Sequence, residues 1–334
     1  MELFACAHCA TALTRPVSRV RFPVYAHHRV GNMPLPALME SGSYAADPDP
    51  SGPPWRPWEE LAEARGYPPR RSGPDRRLSD GAPGRILLAP GDDIGTMTIP
   101  GRYEGSCCGV AGQDGPNLAC AHCGHPVGAW VDDCSLWHAV WLEPDAIRTV
   151  PAGPALPVAD WTDLLHDRHA VPPLDANGRW RYRYEQEASV TLVALILAAE
   201  GSPVVFQDDT AAALLDRGLR RHRPGAAGPA KRCALHGPGR PLTNRHSELA
   251  LVPCHPQTGR PWPTPPGVAG IPLDLAIWRY LAFPPLRSAV HVPGPLRAEL
   301  DRDDPPPPRR HIGIWFDGRL IGDLLARHPV PRPV

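Results

Sequence analysis

Cys6-Ala7-His8-Cys9 and Cys120-Ala121-His122-Cys123 are two copies of one tetrapeptide, and they determine how the first half of this chain folds. Two cysteines with two residues between them can turn both sulfurs toward one point. Two such knuckles supply the four thiolates of a closed, tetrahedral structural zinc site, so the imidazoles of His8 and His122 are not needed as ligands. We therefore predict zinc as a cofactor, with the ligands Cys6, Cys9, Cys120 and Cys123.

Length and charge set the broad limits. The chain has 334 residues, enough for two domains of ordinary size. Its 35 Lys and Arg residues balance 35 Asp and Glu residues, so it has no general attraction for polyanions. This balance argues against nucleic acid as a partner.

Features of targeting are missing from the sequence. Residues 1–5 contain neither a basic segment nor a long apolar one, which argues against a signal peptide. The longest apolar stretch, residues 190–199, is too short to span a membrane. Nine cysteines is an odd number, and paired Cys-x-x-Cys spacing in a reducing compartment indicates metal binding rather than disulfides. We therefore expect a cytoplasmic protein with no membrane partner.

Residues 1–149 are predicted to form an antiparallel, zinc-binding domain. Alternating polar and apolar residues predict its strands, and the two knuckles predict its zinc site. Strands are predicted at 19–25 and 39–46, with one hairpin over 85–100 and another over 127–142. In the turn of the first hairpin, Asp92 and Asp93 are interpreted as turn formers rather than metal ligands.

A Pro-rich insertion at about residues 47–84 interrupts this domain. It contains one predicted helix, residues 58–65, closed by Gly66. Trp55 and Trp58 are expected to pin the insertion onto the domain.

Residues 158–334 predict an α+β domain, so the fold class of the whole chain is α+β. Helices are predicted at 161–169, 210–220 and 273–281, a strand at 203–206, a helix or buried strand at 188–200, and a hairpin at 312–321 around Asp317-Gly318.

The order of elements in the first domain resembles the zinc-pinned β-tent group, which includes cereblon-type thalidomide-binding domains and methionine sulfoxide reductases of the B type. The resemblance covers about residues 4–145, without the insertion. It rests on the first knuckle, the hairpins and the stretch Cys120–Trp130, followed by the final hairpin. It implies the fold but no single activity, because the group contains reductases, ligand binders and RNA-sensing modules.

Few of the functional residues of that group are present at the matching positions of this chain. Cereblon-type domains use a cage of three tryptophans, but residues 105–115 contain no aromatic residue and Ala129 replaces a second tryptophan. Trp137 and Trp141 share one strand face, for which we predict core packing.

In the reductases a nucleophilic cysteine follows the second knuckle, and Cys134 keeps that cysteine while the neighbouring Asn is lost. His138 is the nearest base. Asp132 and Asp133 would raise the pKa of Cys134, so we interpret Cys134 as structural. The catalytic alternative, with Cys134 as nucleophile and His138 as base, stays open.

Other cysteines and histidines leave further alternatives. Cys107 and Cys108 are adjacent and do not easily bind one zinc ion together, so each is a candidate resolving thiol or replacement ligand. A second zinc site in the second half would draw on Cys233, His236, His246, Cys254 and His255. The chain contains no GxSxG, Walker-type or strand-linked GxGxxG motif.

Two functional hypotheses follow. The first is a zinc-stabilised binding protein whose partner is a small molecule, a peptide or another protein. The second is a thiol- or metal-dependent enzyme acting on a small molecule or a sulfur centre. An enzyme requires a thiol of lowered pKa or a metal ion with an open coordination position, whereas a structural zinc ion has four closed ligands.

Overall fold

The structure is a computed structural model with mixed α and β content. It describes residues 1–28, 35–68, 77–102, 107–154, 157–167, 170–175, 178–222, 225, 227–242, 246–283 and 313–327. The chain divides into two compact units, Met1–Val158 and Ala159–Val334.

The first unit is mainly β-structure. Its strands are β1 (Glu2–Cys6), β2 (Ser18–Arg19), β3 (Ser43–Ala46), β4 (Trp55–Pro57), β5 (Arg77–Ser79), β6 (Ile86–Leu88), β7 (Thr96–Thr98), β8 (Leu118–Cys120), β9 (Pro126–Val131), β10 (Ala139–Leu142) and β11 (Ile147–Pro151). It also contains a short helix, α1 (Trp58–Leu61), and 3-10 turns at Glu63–Arg65 and Pro144–Ala146.

Most of these strands form one sheet in the order β2-β3-β6-β10-β9-β8-β7, while β1 pairs with β11 and β4 with β5. The pairs are antiparallel except for β2 with β3. β1 and β8 each end at a knuckle cysteine, Cys6 and Cys120, which are buried in the core among Phe4, Leu88 and Val127. The knuckles therefore join the small sheet to the large one.

The predicted hairpin over residues 85–100 is wrong in its pairing, although both of its strands exist. β6 lies between β3 and β10, whereas β7 pairs with β8 at the edge of the sheet. The reason is burial: all of β6 is buried and requires neighbours on both sides, whereas Met97 on β7 is 49% exposed. Between the strands, buried Asp92 accepts hydrogen bonds from Ser41 Oγ (2.8 Å) and Gly42 N (2.7 Å), which turns the chain away from β6.

Other predictions for the first unit are corrected in length. The strand predicted at 19–25 shrinks to β2, because backbone turns closed by Ala26 N to Pro23 O and by His28 N to Tyr25 O follow it. The predicted insertion helix divides into α1 and a 3-10 turn that ends at Gly66, whose φ is 68°. The predicted hairpin over 127–142 is confirmed as β9 and β10.

The second unit combines helices with a parallel sheet. Its helices are α2 (Trp161–His166), α3 (Tyr182–Ala199), α4 (Asp209–His222), α5 (Leu275–Ala282) and α6 (Gly318–Arg327), and its strands are β12 (Val204–Phe206), β13 (Lys231–Leu235), β14 (Leu249–Cys254) and β15 (Ala269–Asp274). The strands follow chain order, β12-β13-β14-β15, and every pair is parallel. The sequence analysis predicted helices and strands here but not this parallel pairing. Among the residues described, no helix is both long enough and apolar enough to cross a bilayer.

The predicted hairpin at 312–321 is wrong over residues 313–321. Residue 312 lies outside the described residues. Asp317 Oδ1 accepts hydrogen bonds from Arg319 N (2.9 Å) and Leu320 N (3.2 Å), which is the capping pattern of a helix start. Leu320, Ile321 and Leu324 then recur on one helical face and are buried. Asp-Gly therefore begins α6 instead of closing a two-residue turn.

Glu185 on α3 lies close to the start of α6. Trp315 N donates a hydrogen bond to Glu185 Oε1 at 3.3 Å. Burial raises the pKa of Glu185 to about 7, and the nearby Asp317 carboxylate acts in the same direction. The folded state therefore binds a proton at this site in a pH range where the unfolded chain has released it.

This raised pKa predicts that the second unit loses stability as pH increases from about 4.5 to 7, because the unfolded chain ionises Glu185 in this range while the folded state keeps it protonated. Glu185→Gln should match wild type at about pH 4 and be more stable by about 1–2 kcal/mol at about pH 8.5, after allowance for solvent that screens the carboxylate. Urea unfolding at both pH values measures this, with exposed Glu59→Gln as the control. An equal stability difference at both pH values would contradict the assignment.

Candidate metal centres

The four predicted zinc ligands lie together in the first cluster, which consists of Cys6, Cys9, Cys120 and Cys123. Their sulfurs are all within 4.8 Å of one another. Cys6 Sγ is 3.8 Å from Cys123 Sγ, and Cys9 Sγ is 3.6 Å from Cys120 Sγ. With Zn–S bonds of about 2.3 Å, the edge of a regular tetrahedron of sulfurs is about 3.8 Å. The spacing therefore fits one zinc ion held by four thiolates.

The two knuckles share one backbone geometry. Ala10 N donates to Cys6 O at 2.9 Å, and Gly124 N donates to Cys120 O at 2.9 Å. Ala10 has φ 61° and Gly124 has φ 73°, so the residue after each second cysteine is left-handed.

Gly95 ties the two knuckles to each other. Its carbonyl accepts a hydrogen bond from Ala121 N at 3.0 Å, and its own N–H donates to Leu13 O at 2.9 Å. A Cβ at this position would lie 2.0 Å from Ala12 O, so only glycine fits. These backbone contacts help to bring the four sulfurs together.

Polar groups favour the thiolate form at Cys9 of the first cluster, whereas burial and hydrogen bonds with the neighbouring cysteines raise the pKa of the Cys123 thiol to about 12. The hydrogen bonds of Thr11 to Cys9 lower the pKa of the Cys9 thiol to about 6. The thiolate is the form that binds zinc. His8 and His122 are exposed, and the ring of His8 stacks on that of His125 at a centroid distance of 5.6 Å.

The left-handed backbone at Ala10 predicts a matched pair of effects. Ala10→Gly should stabilise the first unit by about 1 kcal/mol, because a Cβ is strained at positive φ. Gly124→Ala should destabilise it by a similar amount, since its added Cβ would meet no atom within 4 Å and only the backbone strain would change. Urea unfolding followed by hydrogen exchange of the β1 amides measures both variants. Equal free energies of unfolding for Ala10→Gly and Gly124→Ala would contradict the shared knuckle geometry.

A second cluster brings together Cys107, Cys108, Asp133 and Cys134, whose potential ligand atoms are also all within 4.8 Å of one another. Cys107 Sγ lies 2.8 Å from Cys134 Sγ. Asp133 Oδ1 lies 3.3 Å from Cys107 Sγ and 3.1 Å from Cys108 Sγ. The backbone thus brings the sulfurs of both adjacent cysteines to the same carboxylate oxygen, an arrangement that the spacing of Cys107 and Cys108 did not predict.

Catalysis by Cys134 with His138 gains no support from the side-chain contacts. His138 Nε2 pairs with Asp132 Oδ1 at 2.7 Å. The hydrogen bonds of Cys134 with Cys107 and Cys108 raise its pKa, and the Asp133 carboxylate acts in the same direction. A thiol with a raised pKa is a poor nucleophile near neutral pH.

The tryptophans after the second knuckle lie in the core. Trp137 is 3% exposed and Trp141 is 1% exposed. Trp137 packs against Tyr25, and Trp141 packs against His27, with centroid distances of 5.5 and 5.7 Å. Their burial confirms the prediction of core packing rather than an open aromatic cage.

The cysteines and histidines of the second half do not form a metal cluster among the residues that the structure describes. Both ring nitrogens of His255 have hydrogen-bond partners, including Ala159 O at 2.9 Å. Cys233 is buried within β13, and burial raises its pKa to about 12. Cys254 is buried at the end of β14, His246 is exposed, and His236 follows β13.

A cleft of about 540 Å³ opens in the second unit. Its lining is mainly apolar, with Arg279, His166 and Tyr280 as ionisable members. Apolar members that line it include Leu165, Val171, Ala276 and Phe283. Arg279 Nη1 donates to Leu164 O at 3.3 Å and Asp167 O at 3.2 Å, which holds the guanidinium in the wall. The sequence analysis did not predict this cleft, because its lining comes from segments far apart in the chain.

No protein-family model, curated protein or solved structure matches this chain. The resemblance to the β-tent group accordingly stays a prediction. The two cysteine clusters and the cleft are the features of the described residues that bear on function.

Proposed function

We propose that this protein is a zinc-stabilised binding protein. The first cluster holds a structural zinc ion, and the second unit holds a small ligand in its cleft. Four thiolates leave zinc no open position for a substrate, so the metal acts on the fold rather than on a reaction. The nine free cysteines are consistent with the reducing cytoplasm as the location.

The cleft carries the binding part of the proposal. Its volume of about 540 Å³ falls within the range of small-molecule sites. An apolar lining with few polar groups is also typical of such sites. The guanidinium of Arg279 adds a fixed positive charge to one wall. The ligand class that fits is a compact molecule with an apolar body and one acidic group.

Two fluorescent dyes test this proposal. The anionic dye 8-anilinonaphthalene-1-sulfonate should bind the native protein saturably, and the neutral dye N-phenyl-1-naphthylamine should bind the same cleft. Ala276→Phe fills the cleft and should abolish binding of both dyes. The matched control is Ala213→Phe on the exposed face of α4, which should leave binding unchanged.

Arg279→Met separates charge from shape. It should weaken binding of the anionic dye about tenfold, the effect of losing one charge-assisted hydrogen bond. Binding of the neutral dye should weaken much less, because it loses only the support that Arg279 gives to the wall through Leu164 O and Asp167 O. Circular dichroism and thermal unfolding check that each variant folds. Unchanged binding of both dyes in folded Ala276→Phe would contradict the assignment of the cleft.

A further inference from the structure

The second cluster lies outside the four-thiolate site, and the proposed binding function does not use it. We propose that the thiolates of Cys107, Cys108 and Cys134 and the carboxylate of Asp133 bind a second, exchangeable zinc ion. Thiolates and carboxylates are both zinc ligands, and four of them complete a tetrahedral shell. Their total charge equals that of four thiolates.

The distances around Asp133 are close to those of such a shell. With Zn–S near 2.3 Å and Zn–O near 2.0 Å, a tetrahedral sulfur–oxygen edge is about 3.5 Å. Asp133 Oδ1 lies 3.1 Å from Cys108 Sγ and 3.3 Å from Cys107 Sγ. The sulfurs of Cys107 and Cys134, 2.8 Å apart, must separate by about 1 Å to reach the sulfur–sulfur edge. Cys107 is exposed and Cys134 is half-buried, so rotation of the side chains can supply that movement.

Hydrogen bonds orient the ligands as outer partners do in metal sites. Cys107 N donates to Asp133 Oδ2 at 2.9 Å, which leaves Oδ1 facing the sulfurs. Cys134 N donates to Cys108 Sγ at 3.1 Å. In each bond, the backbone N–H of one ligand residue fixes the side chain of another ligand residue.

The charge of Asp133 independently indicates a cation. Its side chain is 4% exposed, and its hydrogen-bond partners are thiols and a backbone amide. No Lys, Arg or His pairs with it in the part of the chain that the structure describes. A buried carboxylate needs a compensating charge, and a zinc ion would supply it.

Backbone hydrogen bonds fix the segment that carries Cys107 and Cys108 against the segment that carries Asp133 and Cys134. Val110 and Asp132 exchange two hydrogen bonds, of 2.9 and 2.8 Å. Gly109 passes so close to that strand that a Cβ would lie 1.8 Å from Asp132 O. Gly109→Ala should therefore misplace Cys107 and Cys108 without altering any ligand.

Exposure distinguishes the two sites. Cys107 and Cys108 of the second cluster are both exposed, whereas in the first cluster Cys123 is exposed and Cys6 and Cys120 are fully buried. Water and chelators reach the second site directly. Its zinc should therefore leave at least tenfold faster than the zinc of the first cluster.

Metal analysis of the full chain tests this inference. Zinc-saturated wild type should hold two zinc ions, one released quickly and one slowly to a chromophoric chelator. Cys108→Ser, Cys134→Ser and Gly109→Ala should each hold one, released slowly. Cys254→Ala, which changes a cysteine outside both clusters, should still hold two. One zinc ion in saturated wild type, or two in folded Cys134→Ser, would overturn the inference.

Alkylation of wild type keeps the test independent of variant folding. Iodoacetamide should label Cys107 and Cys108 rapidly in protein stripped of its fast-exchanging zinc and slowly in saturated protein. Peptide mass spectrometry under non-reducing conditions reads out both labels. Equal labelling in the two samples, or a Cys107–Cys134 disulfide in place of bound metal, would overturn the proposal.

Discussion

The meeting of four cysteine sulfurs at the ends of β1 and β8 is the constraint on which the first unit depends in our account. Cys6 ends one strand and Cys120 ends another, and these strands belong to different sheets. Thiolates held this close repel each other unless a cation lies between them. A structural zinc ion contributes roughly 10–16 kcal/mol in small metal peptides, which is comparable with the net stability of a domain. In our account zinc therefore decides whether the two sheets stay joined.

The loop between β9 and β10 shows how one hairpin can serve two purposes. Its strands cross the centre of the large sheet and bury Trp141 in the core. Its loop holds Asp133 and Cys134 against Cys107 and Cys108. The core thus supplies a rigid frame, and the two exposed cysteines supply donors that solvent can reach. A fixed frame with accessible donors suits a metal ion that exchanges.

Local sequence patterns predicted those structural features that depend on residues close together in the chain. The repeated tetrapeptide identified the first cluster, and alternation identified β9 and β10. Patterns failed where partners are distant in sequence. No local signal reports that β6 pairs with β10 rather than β7. The error at Asp317-Gly318 is of another kind, because an Asp N-cap followed by Leu320, Ile321 and Leu324 at helical spacing is a local signal that the hairpin interpretation overlooked. The second cluster was missed because Cys107 and Cys134 meet only through the Val110–Asp132 bridge, and because spacing rules for zinc knuckles do not include adjacent cysteines.

Hydrogen exchange after loss of the first zinc tests the central claim most directly. Wild type and Cys6→Ser are compared by mass spectrometry, with zinc content measured on the same samples. The account predicts that the variant loses the slowly released zinc and that the amides of β1, β8 and β10 lose protection, while those of α3 keep it. Full protection of β1 and β8 in metal-free protein would show that zinc does not hold the first unit together.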